Sequence, residues 1–474
     1  MGRRASRLRA MPTDPDRIKY EHLSFDGGMA PDDTQCPLPA WYSLENLWID
    51  PSGKPRSRPH LLTATQEYAN VTGVFRNNAM ALMYVADGQV SVGTQPVATI
   101  SGDALPRYDF SRLRTIVTIG GKPLLYTGPG DWSTLPHENV RALATFVGAQ
   151  KLRLVFVKND DPHRLYVTTL GDLTDTGTLI PDYRGNYSDT WTEGFSYKNI
   201  PHEIMDICEL NNQIFVFTRR GIYTFTPDMM DGLFVPDLSE RMNVESLDHR
   251  VWKEEGQIFF LSTDGPKRLF FEDGYPTFSP LPLEGLKLTI RDELVNGEAA
   301  ICFDKHRRLL YLMPDRTSGK TYVFNLPKQI WTVWDIAIED CVVVFDRTYV
   351  TTPAGKYVYR LDEIGDGHDE VDVKLRTGLT PLFDMDSRKR IRAANVHYKS
   401  VGLLEYYIDS NADEFIEEVD PVYGLNDSDP YKIVEGLGDQ GQLFSLVFCF
   451  RTRGQVLFNQ LMVELLIKKP RVRF

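Results

Sequence analysis

The sequence predicts an all-β protein: a β-propeller of six or seven blades, with an extended N-terminal arm before it and a C-terminal β-sandwich-like domain after it. Three observations carry this expectation. Short β-rich modules of similar rhythm recur from about residue 70 to residue 363. The four clearest, 207–228, 249–274, 299–335 and 341–363, start 42, 50 and 42 residues apart. A period of roughly 40–50 residues, each holding several short strands, marks a propeller, because one small sheet buries its faces only by stacking on neighbours around an axis. Second, aromatic residues make up 11% of the chain, with 22 Tyr and 25 Phe, and these favour strands. Third, the rhythm changes after residue 370, where longer strand-like runs replace the repeat.

Residues 1–60 are irregular and rich in Pro, Asp and Gly, which predicts an arm lying on something else rather than a domain with its own core. Its first turn of sequence is basic, with Arg3, Arg4, Arg7 and Arg9; these are candidate contacts to an acidic partner, against the simpler reading of a solvated tail. From about residue 61 the modules begin. In 71–103, ALMYVADGQVSVG sets Asp87-Gly88 between alternating apolar residues, a strong hairpin signal. Gly120-Gly121 makes the turn of a short module at 113–135, and 142–172 follows with apolar runs at 152–157 and 165–169. Seven candidate modules result.

Residues 173–206 break the pattern and read as a polar, aromatic insertion loop. Tyr183, Arg184, Tyr187 and Trp191 are its interface candidates, since Tyr, Trp and Arg are enriched where proteins meet; capping of the propeller's own edge is the competing reading. In 299–335, Trp331 and Trp334 close the module and are expected to fill space between blades. After an acidic linker at 362–370, runs at 371–376, 391–400, 403–409, 442–450 and 457–467 form either a separate β domain or strands that close the ring.

Composition bounds the function. Net charge is −12, which argues against a dedicated nucleic-acid binder but not against a wall that nucleic acid passes. The N-terminus lacks the apolar core of a secretory signal, and no apolar run reaches membrane-span length. The five cysteines are scattered, without a CxxC pair, and read as buried free thiols of a reducing cytoplasm.

Catalytic patterns fail one by one. Gly319-Lys320-Thr321 ends like a phosphate-binding loop, but Pro314 stands where the motif needs its first Gly, so a turn is expected. There is no GxSxG and no HExxH, and no cofactor or metal is called. Asp264, in Ser262-Thr263-Asp264-Gly265, lacks the flanking spacing of a sialidase-type Asp-box and reads as a hairpin turn.

The segment 46–59 (NLWIDPSGKPRSRP) resembles the opening of tail hub proteins of short-tailed bacteriophages, where an early Asn and a Gly…Arg-Pro stretch precede the first propeller strand. The segments 75–102, 351–361 (TTPAGKYVYRL) and 388–400 (RKRIRAANVHYKS) resemble later parts of the same family, also called nozzle or packaged-DNA stabilisation proteins. The resemblance implies a non-enzymatic virion protein assembled in the host cytoplasm as a homo-oligomeric ring, a hexamer. It implies a place below the portal and its adaptor (the head-to-tail connector), extension of the double-stranded DNA channel, retention of packaged DNA, and attachment of tailspikes, fibres or a needle. The alternatives from other classes are a glycan-hydrolysing propeller enzyme and a cytoplasmic propeller scaffold.

Overall fold

The computed structural model describes residues 16–25, 29, 41–77, 79–111, 114–148, 151–169, 171–174, 176, 196–225, 232–234, 251–254, 256–282, 294, 299–363, 370–377, 382, 388–400, 404–412, 431–435, 440–441 and 443–468. The chain divides into two units, 59–366 and the pair 1–58 with 367–474.

The first unit is a β-propeller. Among the described residues its strands form seven four-stranded antiparallel blades. Their first strands are Val71–Arg76, Gly102–Ser111, Val140–Gly148, Ile204–Leu210, Trp252–Glu254, Ala300–Asp304 and Asp340–Val344. These lie innermost; the strand of blade 7 meets that of blade 1, which closes the ring. The closure is sewn from the N-terminal side: His60–Thr63 pairs antiparallel with Tyr359–Asp362 and completes blade 7 as its outer strand.

The cores lie between blades. Phe75, Met83 and Val85 of blade 1 meet Val117, Ile119 and Leu124 of blade 2. The same face-to-face packing joins blades 2 and 3, 3 and 4, 4 and 5, and 7 and 1. Alternation explains it: a central strand such as Gln213–Thr218 sends Phe215 and Phe217 to one neighbour and Ile214 and Val216 to the other. Both faces of a blade are therefore apolar, and a blade in isolation would expose one of them.

The repeat read from sequence falls on blades 4 to 7, the turns expected at Asp87-Gly88 and Asp264 are turns, and Gly319 lies in the connection between Leu309–Met313 and Thr321–Asn325 with a left-handed backbone (φ 64°). Ser262 pairs with Gly265 across the Asp264 hairpin, and Ser262 Oγ accepts the Asp264 N–H at 3.1 Å. Trp331 and Trp334 are buried; Trp331 Nε1 donates to the Pro282 carbonyl at 2.6 Å. The four described cysteines, Cys208, Cys302, Cys341 and Cys449, are free and buried. The stretch 173–206 is not all loop: Ser196–Asn199 is the fourth strand of blade 3, and Ile204–Leu210 already begins blade 4. No described helix is long and apolar enough to cross a membrane.

The second unit is built of two antiparallel sheets. In one, Ser43–Glu45, Val371–Arg376, Phe444–Thr452 and Leu404–Ala412 follow in that order. In the other, Val456–Lys468 pairs with Arg388–Ser400 on one side, and with Asp16–Leu23 and Pro55–Ser57 on the other. The ring of Phe450 in the first sheet lies 4.9 Å from that of Phe458 in the second. The segment expected to be an arm without a core thus supplies buried strands: Trp41, Leu44, Leu47 and Trp48 are all inside. It is extended, but it is a structural part of this unit.

Candidate functional site

A cavity of about 130 Å³ lies between the innermost strands of blades 2 to 5. Arg107 and Asp109, Asp206 and Glu209, and Lys253 and Glu254 bring its charges; Leu143, Ala144 and Trp252 are among its apolar wall. The strands place these groups because the first strands of the blades lie innermost and bring their side chains together there.

Three aspartates of the first strands share one arrangement. Asp206 accepts the N–H of its own neighbour Ile207 at 2.9 Å and, with its other oxygen, that of Val251 in blade 5 at 2.7 Å. Asp340 accepts Cys341 N–H at 2.9 Å and Val74 N–H in blade 1 at 3.0 Å. Asp109 accepts the N–H and Oγ–H of Thr145 in blade 3 at 2.7 and 3.0 Å. Each carboxylate therefore bolts the innermost strand of one blade to that of the next. An N–H at that edge has no ladder partner, and a carboxylate is a strong acceptor for it.

Ion pairs occupy much of the remaining charge. Lys253 pairs with Glu209 at 2.5 Å, and Arg107 lies 3.5 Å from Asp206. Glu254 stands between Lys305 at 3.3 Å and Arg76 at 3.7 Å, and Glu203 between Arg219 at 2.7 Å and Arg141 at 3.1 Å. Partial burial pulls the Lys253 ammonium down, but the carboxylates of Asp109 and Glu209 outweigh it and hold the group above its ordinary value. Burial pushes the Cys208 thiol far up, and nearby carboxylates add to this. A thiol so placed stays protonated and is a poor nucleophile. Opposite charges and backbone N–H groups meet one another across the blades. Among the described residues no cluster of three or more His, Cys, Asp or Glu has the geometry to hold a metal ion.

The segment 46–59 forms a second polar lock, inside the other unit. Asn46 has a left-handed backbone (φ 57°), its Nδ2 donates to the Asp372 carbonyl at 2.6 Å, and its Oδ1 accepts from Arg58 Nε at 3.1 Å. Asp50 accepts Ser52 Oγ–H at 2.6 Å, Lys54 N–H at 2.9 Å and Arg56 Nε–H at 2.7 Å. Burial raises the Asp50 carboxyl, but these donors prevail and hold it below the usual carboxylate range. The chain leaves this lock at Arg58 and enters the ring-closing strand at His60.

The interface candidates Arg3, Arg4, Arg7, Arg9, Tyr183, Arg184, Tyr187 and Trp191 all lie outside the described residues. The inter-blade aspartates were missed in sequence, although a signal was present. Asp206 and Asp340 stand immediately before the apolar runs that opened two of the clearest modules, at Ile207 and Cys341.

No protein-family model and no curated protein matches this sequence. Among solved structures, BamB from Moraxella catarrhalis is similar over 73% of this chain and 98% of its own, at 13% identity and a TM-score of 0.37. The Neurospora crassa Pan2 WD40 domain matches 64% of this chain and 95% of its own, at 8% identity and a TM-score of 0.38. The AfRom2 CNH domain matches 64% and 99%, at 8% identity and a TM-score of 0.38.

Proposed function

We propose that this chain is a structural ring protein of a virion tail, a tail hub or nozzle that continues the DNA channel below the portal and its adaptor. The observation that carries the reading is the placement of 46–59. The segment that resembles the family's opening is the lock described above, and it delivers the chain directly into the strand that closes the propeller. Its Asn, Asp and Arg serve architecture, which fits a resemblance built of structural rather than catalytic residues.

The axial charges support the same reading. Asp109, Asp206 and Asp340 are engaged by backbone donors of a neighbouring blade, and Glu209 and Glu254 by cations. These carboxylates spend their oxygens on backbone N–H groups and cations that join one blade to the next. A rigid, bolted propeller is suited to carrying load and presenting surfaces.

In this reading copies of the chain assemble as a ring, a hexamer, on the adaptor, retain packaged double-stranded DNA and hold spikes, fibres or a needle. The ring is assembled in the host cytoplasm and ends in the virion. Mixing the purified chain with adaptor rings and weighing the product tests it: a complex with several copies per adaptor ring is expected. A monomer indifferent to the adaptor, or turnover of host-surface glycan abolished by one carboxylate substitution, overturns it.

A further inference from the structure

In an antiparallel four-stranded blade, the turns after the first and the third strand lie at the same end. In a propeller these ends form one face. That face carries the two most exposed large apolar side chains of the described residues, Tyr275 at 75% and Phe345 at 70%.

Phe345 sits where the fold gains nothing from it. It shares with Asp346 the two-residue hairpin between Asp340–Val344 and Arg347–Thr351 of blade 7, and both adopt left-handed backbone, φ 45° and 59°. Such a turn favours Asn or Gly, and a bulky residue with positive φ is a strained outlier. An aromatic ring that costs backbone strain and lies in water has a reason outside the monomer.

Its surroundings say what it meets. Arg308, in the first-strand turn of blade 6, and Lys328, in the third-strand turn, are exposed, as is Arg347 beside Phe345; Asp346 is the one exposed carboxylate of these turns. The turns are joined: the Leu326 N–H donates to the Arg308 carbonyl at 3.2 Å, and Arg307 donates to Thr348 Oγ at 2.8 Å. They are also rigid, since Asp304 Oδ1 accepts the His306 N–H at 2.9 Å and Asn325 Oδ1 the Lys328 N–H at 2.9 Å. The third-strand turn of blade 5 is the opposite in charge. Glu272 and Asp273 are exposed beside Tyr275. One face thus holds a basic aromatic sector and an acidic aromatic sector, on a chain of net charge −12.

We infer that this face is a self-association surface, on which the Phe345 turn of one copy docks against the Tyr275 turn of a second copy of this chain. Complementary charge sets the register and the two rings supply the apolar contact. Because both turns lie on one face, the contact is face to face and two-fold, so it is separate from the contacts that would close a ring. Single-stranded nucleic acid is the other ligand that basic and aromatic groups suit. Three exposed cations on an acidic chain favour the second copy.

The test is sedimentation equilibrium of the full chain, alone and on adaptor rings, at about 0.05 M and about 0.5 M salt, since screening of exposed charges rises over that range. Wild-type protein is expected to self-associate, more tightly at low salt. Phe345→Asn suits the turn better than Phe, so it is expected to keep or raise the thermal midpoint while weakening association at least tenfold. Arg347→Glu and Glu272→Arg are each expected to weaken association, and the two together to restore it. If wild type assembles and Phe345→Asn assembles equally well, or the double reversal does not restore association, the docking inference falls while the ring reading stands. If wild type stays monomeric with and without the adaptor, both fall. Oligonucleotide binding that is lost in Arg347→Glu, with no effect of that change on assembly, also overturns the inference.

Discussion

Asp340 shows how much one side chain contributes to a closed ring. Its two oxygens hold Cys341 in blade 7 and Val74 in blade 1, across the seam where the last blade meets the first. Asp340→Ala leaves two buried N–H groups without their acceptor, and roughly 2–3 kcal/mol of stability is expected to go, read as a shift in the denaturation midpoint at constant slope. Asp340→Asn keeps one acceptor oxygen and is expected to lose less. Gly73 belongs to the same seam. A Cβ there would stand 2.3 Å from Pro106 Cδ and 2.8 Å from Asp340 Oδ2. Gly73→Ala is therefore expected to cost about 1–3 kcal/mol through overpacking, measurable in the same titration.

Asp50 gives a pH dependence with a definite sign. Its carboxyl is held below its ordinary value of 3.8 in the folded chain, so the unfolded chain binds the proton more readily. Its contribution is present in full well above the unfolded value and is lost as pH falls through the folded one. The stability difference between wild type and Asp50→Asn is expected to be constant near neutrality and to shrink below about pH 4. A difference that instead grows on acidification contradicts the lock described here.

At the scale of elements, the sequence was legible where local chemistry decides structure. Alternating apolar residues around Asp87-Gly88 and a repeat over blades 4 to 7 are local patterns, and the strands follow them. Two features were illegible for a physical reason: they are made by residues far apart in the chain. His60–Thr63 completes a blade whose other strands lie at 340–362, and nothing in HLLT says so. Likewise the short strands Ser43–Glu45 and Leu47–Ile49 look like irregular arm until Val371–Arg376 and Pro55–Ser57 lie beside them. The insertion at 173–206 was drawn too long because Ser196–Asn199 is a four-residue outer strand without an apolar run.

Truncation tests the closure. Removing residues 1–64 deletes the outer strand of blade 7 and bares the edge of Tyr359–Asp362, and it also takes the buried strands Ser43–Glu45 and Leu47–Ile49 from the second unit. The truncated propeller is expected to aggregate or to melt well below the full chain, because an open edge invites pairing with other chains. Removing 1–15 only is expected to leave the melting midpoint unchanged. Equal stability of the two truncations would show that closure does not depend on this strand.

At the largest scale, the propeller unit is a ring stabilised between its blades rather than around one centre. Five inter-blade cores and three aspartate bridges repeat one solution, so load on one blade passes to its neighbours. The candidate site was only partly legible from sequence. The bridging aspartates look like any other acidic residues until the blades face each other.

The most direct measurement is the solution mass of the chain mixed with portal-adaptor rings, with the chain alone as control. The account predicts a defined complex in which several copies, six for a hexamer, join one adaptor ring. A stable monomer that leaves the adaptor untouched would contradict it.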